Sequence, residues 1–272
     1  MIKSAEIQQK ARAFGVRDQQ IEKDYILSWI LTGISQHKDL SKWIAFKGGT
    51  VLKKIYFEDY RFSEDLDFTL LIRELKNEQL FKWFNESFEY VKEATNISLE
   101  INDFTEHIND GFNFYISYQG PLGGQSTKKS VKVDISREEQ LLFQPILKDA
   151  FLGYSDLIGH QLLCYTLEEV ILEKMRSIMQ RMQARDFYDL WYILDQHGMN
   201  IDFYLSEFKA KCSIKQINPI DFKKKLMERL PQYKARWNHS LSSQIKNLPS
   251  FEKVEREVQR HLKNLIKNLG EH

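Results

Sequence analysis

Residues 60–71, YRFSEDLDFTLL, decide how the rest of the chain reads. Leu66, Phe68 and Leu70 recur every second residue, the period of a half-buried β-strand. Asp65 and Asp67 therefore share the opposite face. Adjacent like charges repel, and a carboxylate pair is costly unless something cationic neutralises it. A second segment, SVKVDIS (130–136), repeats the design, with Val131, Val133 and Ile135 on one face and Lys132 and Asp134 on the other. If the two strands neighbour each other, three carboxylates converge. That set suits a hard cation such as Mg²⁺, which takes few protein ligands and leaves positions for substrate phosphates, or a two-metal centre. Two exposed acids on a half-buried strand are an equally good reading of Asp65 and Asp67 alone. Asp134 tips the balance towards metal.

Working outward, KGGTVLKK (47–54) lies just upstream. A Gly-Gly turn at a helix start lets backbone N–H groups approach an anion with no Cβ in the way, and Thr50 offers a hydroxyl. Many turns are built this way, and the P-loop spacing is absent. Lys174, in ILEKMRSIMQR, sits among apolar residues, placed either to reach a triphosphate as a point charge or to snorkel from a partly buried face. In RDFYDL, Asp186 reads as a helix N-cap, which does not exclude a catalytic part, and Asp189 follows one turn on.

The totals bound the classes. The chain has 272 residues, 42% hydrophobic and 28% charged, with no low-complexity tract, so it can bury a core. The opening MIKSAEIQQKARAFGV lacks an apolar core of signal-peptide length, and no apolar run reaches bilayer length. Cys164 and Cys212 match no metal spacing, and the seven histidines are scattered, which argues against zinc chemistry. A cytoplasmic protein with reduced thiols and no membrane contact is expected. The Asp-x-Asp does not continue as an EF-hand, and no nucleophile elbow is present. Residues 200–272 carry 15 Lys and Arg against 8 Asp and Glu, while the remainder carries 24 against 30. Solvated helix faces explain such a bias on charge alone; contact with an anionic partner is the sharper reading.

The coarse pattern is α+β. Helix is expected around IEKDYILSWILTGI (21–34), then a short strand, the Gly-Gly turn and a helix, then the Asp65 strand, a helix over 74–94, and strands at ISLEI, FNFYISY and VKVDIS. QGPLGGQSTKK between the last two suits a hairpin. After about residue 155 strands are expected to stop. Thr166 and Glu169 form a capping-box pattern, Phe187, Leu190, Trp191 and Leu194 form a stripe, Gly198 suits a helix end, and 251–269 is an amphipathic helix. The expected division is a mixed core over 1–155 and a helical domain over 156–272, basic after about residue 200.

Together, IEKDYIL, FKGGTVLKKIYFEDYRFSEDLDFTL, VKVDIS and LEKMRSIMQRMQARDFYDL resemble the AbiEii/AbiGii toxin family of nucleotidyltransferase-like proteins, over roughly residues 20–195. The family belongs to the polymerase-β-like superfamily, so the resemblance implies a nucleotidyltransferase-like mixed sheet with flanking helices and a helical C-terminal region. It implies that Gly48, Gly49 and Thr50 hold nucleotide phosphates, with Arg61 and Ser63 steadying the loop or a phosphate. Asp65 and Asp67 would bind Mg²⁺, with Mn²⁺ the alternative. Lys174 would contact the triphosphate and Asp186 would complete the catalytic set. Asp134 suits the superfamily's third carboxylate, which ligates metal and activates the attacking hydroxyl, although Lys132 is an equal candidate for that strand's working residue. The implied reaction is NMP transfer from an NTP to an RNA acceptor, foremost the tRNA 3′ end, by a toxin with a separate antitoxin partner. The rivals are nucleotidylylation of a protein hydroxyl, a non-catalytic nucleotide- or RNA-binding module, and a Mn²⁺-dependent glycosyltransferase, against which the GG-T and RDFYDL segments argue.

Overall fold

A computed structural model describes residues 1–107, 111–123, 129–137 and 139–270. It divides into two compact units, Met1–Glu139 with Gln144–Tyr165, and Gln140–Phe143 with Thr166–His272.

The first unit opens with helices α1 (Ser4–Phe14) and α2 (Asp18–Gln36). α2 is buried on almost every side, from Ile21 to Ile34. A short helix α3 (Leu40–Trp43) leads into strand β1 (Ile44–Lys47). Helix α4 (Gly48–Val51) starts at the Gly-Gly turn and widens into a π-helical stretch over Leu52–Tyr56. Strand β2 (Asp65–Leu70) follows, then helix α5 (Asn77–Thr95) and strands β3 (Ser98–Glu106), β4 (Gly111–Gln119) and β5 (Ser130–Ser136). β4 and β5 pair antiparallel as the hairpin reading expects, although residues 124–128 of their connection lie outside the described residues. α2 and α5 approach closely at Gly33, where a Cβ would stand 2.7 Å from Val91 Cγ2.

Among the described residues the strands join one seven-stranded mixed sheet, ordered β3-β4-β5-β2-β1-β7-β6. β6 (Ile146–Asp149) was not foreseen, and β7 (Gln161–Cys164) corrects the expectation that strands end near residue 155. At four residues each they are too short for alternation to show. β7 lies parallel to β1 through the pair Phe46 and Cys164, and the sheet unit includes residues up to Tyr165. Alternation holds along β5 and over Asp65–Phe68 of β2, with Leu66, Phe68, Val131, Val133 and Ile135 buried and Asp65, Asp67, Lys132 and Asp134 half-buried, while Thr69 is buried as well.

The second unit is helical: α6 (Leu167–Gln180), α7 (Ala184–Trp191), α8 (Leu205–Ile214), α9 (Phe222–Leu241) and α10 (Phe251–Gly270). Thr166 caps α6, its hydroxyl accepting from Glu169 N–H at 3.2 Å. The reciprocal half of the capping box is absent, because Glu169 Oε2 accepts instead from the backbone of Leu142 and Phe143. The same carboxylate takes Lys211 Nζ at 2.6 Å, and Lys211 also reaches Glu173 at 2.7 Å and the Gln140 carbonyl at 2.9 Å. This buried network binds residues 140–143 to α6 and α8. Phe187, Leu190, Trp191 and Leu194 are buried as one stripe, and Gly198 follows the helix with φ +79°.

Candidate active site

In the sheet unit the acidic pair sits where three strands meet. β1 runs antiparallel to β2 with Lys47 opposite Asp67, and β5 runs parallel to β2 with Lys132 opposite Asp65 and Asp134 opposite Asp67. The three aspartates therefore occupy one face on neighbouring strands, with lysines interleaved. Lys132 Nζ donates to both oxygens of Asp134 at 2.8 Å. Partial burial works against the Lys132 charge, but its bond to Asp134 and the nearby Asp65 hold it above the usual lysine value. Lys47 Nζ donates to Ser136 Oγ at 2.8 Å and lies 3.8 Å from Glu139. His107 Nε2 stands 3.9 Å from Asp134 and meets Asn113 Nδ2 at 2.9 Å.

Immediately after Lys47 the backbone turns at Gly48, with φ +81°. An ideal Cβ at this position would lie 2.1 Å from Asp67 Oδ2. Glycine is required twice over, for the left-handed backbone and for the carboxylate packed against its Cα. Thr50 is buried and donates its hydroxyl to the Asp65 carbonyl, bracing the strand from the other side of the turn. Lys54, at the far end of the same helical segment, is anchored to α2 by Asp24 Oδ2 at 2.7 Å and Ser28 Oγ at 2.8 Å, and Tyr154 donates to the same Asp24 oxygen. Burial pushes the Lys54 ammonium below its ordinary value against the opposing pull of Asp24. Arg61 is buried, donates to the Phe62 carbonyl at 3.1 Å and covers the Tyr60 ring; Ser63 is buried beside it. Arg61 is thus engaged with the segment leading into β2.

The donor set fits a hard divalent cation in part. Asp65 and Asp67 supply carboxylate oxygens on one face, the one or two ligands Mg²⁺ takes beside substrate phosphates. Among the described residues no three His, Cys, Asp or Glu side chains group as a metal site, and Lys132 engages both Asp134 oxygens.

In the helical unit, Lys174 is buried between Asp186 at 3.0 Å and Asp189 at 2.6 Å. Arg181, with 58% of its side chain exposed, clasps Asp186 through Nε at 2.7 Å and Nη2 at 3.0 Å. Burial alone would raise the Asp186 carboxyl, but Lys174 and Arg181 together hold it below the usual range. The reading of Asp186 as an N-cap is corrected: Gln183 holds that position, and Asp186 lies inside the first turn of α7. There an acid favours the helix dipole while its oxygens serve Lys174 and Arg181. Asp189 was noted in the sequence without a role. Its spacing from Asp186 and its place between Tyr188 and Leu190 on a buried stripe were the available signal. Glu169 was read only as half of a capping box, and Lys211, Asp24 and Lys54 were given no role; charged residues within apolar helical runs mark them.

The family model described as "Nucleotidyl transferase AbiEii toxin, Type IV TA system" matches residues 29–260. No curated protein matches the chain. Among solved structures, MenT4, a nucleotidyltransferase toxin from Mycobacterium tuberculosis, superposes with a TM-score of 0.67 at 17% identity, covering 99% of this chain and 94% of that one. JHP933 from Helicobacter pylori gives 0.59 at 18% identity, covering 93% and 94%. The sheet and the helical unit thus share the fold of these nucleotidyltransferases. Within that class, this chain belongs to the AbiEii nucleotidyltransferase toxin family of type IV toxin–antitoxin systems. Among the described residues no helix is long and apolar enough to cross a membrane.

Proposed function

We propose that this toxin is a Mg²⁺-dependent enzyme, with Mn²⁺ the alternative ion, that transfers NMP from an NTP to an RNA acceptor, foremost the 3′ end of tRNA. The observation that carries this reading is the Asp65–Asp67 pair, with Asp67 packed against the Gly48 turn. The acceptor hydroxyl oxygen attacks the α-phosphorus, the bond from that phosphorus to the bridging oxygen breaks, and pyrophosphate leaves. A divalent ion held by Asp65 and Asp67 would supply Lewis-acid stabilisation of the phosphates. Gly48 and Gly49 let main-chain N–H groups approach the phosphates, since neither carries a Cβ. Asp134 accepts the hydroxyl proton on a carboxylate oxygen that Lys132 releases. Lys174 is assigned as the cation for the triphosphate, with Asp186 fixing its ammonium. The basic balance of residues 200–272 favours RNA over a protein hydroxyl, because phosphate contacts by Lys and Arg drive sequence-independent binding. The cell cytoplasm is the setting where tRNA and NTP meet, and a separate antitoxin is the expected partner.

The test incubates the protein with total tRNA, Mg²⁺ and each α-labelled NTP in turn. Label on RNA supports the proposal. Label on a protein band moves the acceptor to protein, and nucleotide binding without label supports a binding module.

A further inference from the structure

α10 has two faces of unlike character. Phe251, Val254, Val258, Leu262, Leu265 and Leu269 are buried along one side. Along the other, Lys253, Arg256, Arg260, Lys263 and Lys267 are all exposed, at steps of three, four, three and four residues. Such spacing stacks side chains in one row, about 5–6 Å from each to the next. Fourteen residues at about 1.5 Å each make the row roughly 21 Å long. The acids of α10 do not break it. Glu252 binds Lys234 at 2.9 Å, Glu255 accepts from Gln259, and Glu257 accepts from Trp191 Nε1. Arg260 touches Asp195 at 2.7 Å, an exposed contact of the kind worth little to stability.

The helix dipole accounts for Lys267 in the last turn but not for Lys253 and Arg256 near the start, where a cation is disfavoured. Nor does the row suit a protein partner. Interface cores need aromatic or aliphatic anchors, and none of the exposed large apolar residues lies on α10. A membrane surface would need the apolar side of the helix, which the fold has buried. A linear polyanion with evenly spaced charges requires only cations in file.

We propose that this row is a docking rail for the sugar–phosphate backbone of RNA, an inference that rests on the RNA-acceptor reading. The variant Lys253→Gln/Arg256→Gln/Lys263→Gln tests it, using a fluorescein-labelled tRNA transcript and anisotropy over a KCl series. Binding at 0.1 M salt should weaken by about tenfold, and the slope of log K against log salt should shrink by about 2, near 0.7 per lost contact. Thermal unfolding and NTP affinity should not change. The control Lys38→Gln/Lys42→Gln/Lys76→Gln removes the same charge from exposed sites of the sheet unit. Unchanged affinity and slope in the α10 variant would overturn the rail, as would an equal loss in the control. Transfer to tRNA that ignores the α10 variant sinks the rail and leaves the enzyme reading intact. Rail-dependent binding without transfer supports the rail while removing the acceptor chemistry.

Discussion

The carboxylate of Asp67 rests against the Cα of Gly48, so closely that an added Cβ would fall 2.1 Å from Asp67 Oδ2. The strand and the turn that follows its neighbour thus fix one another. Gly48→Ala must displace the carboxylate and also strain a backbone at φ +81°. We expect a stability loss of about 1–3 kcal/mol. Transfer should fall at least about a hundredfold, since an ångström of misplacement in a reacting group costs that much. Gly159→Ala, where nothing lies within 4 Å of the new Cβ, is the matched control for urea unfolding and turnover.

Asp186 links the candidate chemistry to acid stability. Its folded carboxyl lies below its unfolded value of about 3.9, so the unfolded chain binds the proton more readily. Its contribution is therefore complete above about pH 4 and is lost as pH falls through the lower folded value. Arg181→Gln removes one of the two cations that hold it down and should flatten this acid-side dependence. Urea midpoints of both proteins between about pH 2.5 and 6 report the difference; identical curves would remove Arg181 from the network.

Lys211 is wholly buried between Glu169 and Glu173, and with Arg176 it outweighs burial to bring Glu173 down to about 2. Lys211→Met leaves those carboxylates without their buried cation. A loss of about 3–5 kcal/mol is expected. Faster amide exchange at Leu142 and Phe143, which Glu169 holds, should accompany it. Adding Glu169→Gln should restore part of the loss, and strict additivity of the two substitutions would contradict the coupling.

The Lys132–Asp134 bond separates two parts that Asp134 can take. As proton acceptor, Asp134→Asn should lower kcat by about 10²–10⁴ with the KM for NTP nearly unchanged. A rise in KM alone would assign Asp134 to binding instead.

Part of this arrangement was legible in the sequence, because strand alternation places Asp65 and Asp67 on one face and Asp134 on the polar face of its own strand, while the pairing that brings the two strands together is read only from the structure. The cap at Thr166 and the stripe on α7 follow from equally local rules. β6 and β7 were not legible, since four residues hold too few alternations to distinguish strand from loop. Pairings across the chain were also out of reach. Lys132 and Asp134 share a face in the sequence, but their mutual bond depends on side-chain reach. Glu169 looks like half of a capping box until the 140–143 segment takes its carboxylate. Asp24 and Lys54 lie thirty positions apart, and nothing local joins them.

The central claim is that Asp65 and Asp67 carry metal-dependent nucleotidyl transfer. The most direct measurement compares wild type with Asp65→Asn and Asp67→Asn for transfer of α-labelled NTP onto tRNA in Mg²⁺, with circular dichroism as the check on folding. The account predicts labelled tRNA from wild type, and no label above background from either variant while both keep their fold. Full transfer by a folded Asp67→Asn protein would contradict it.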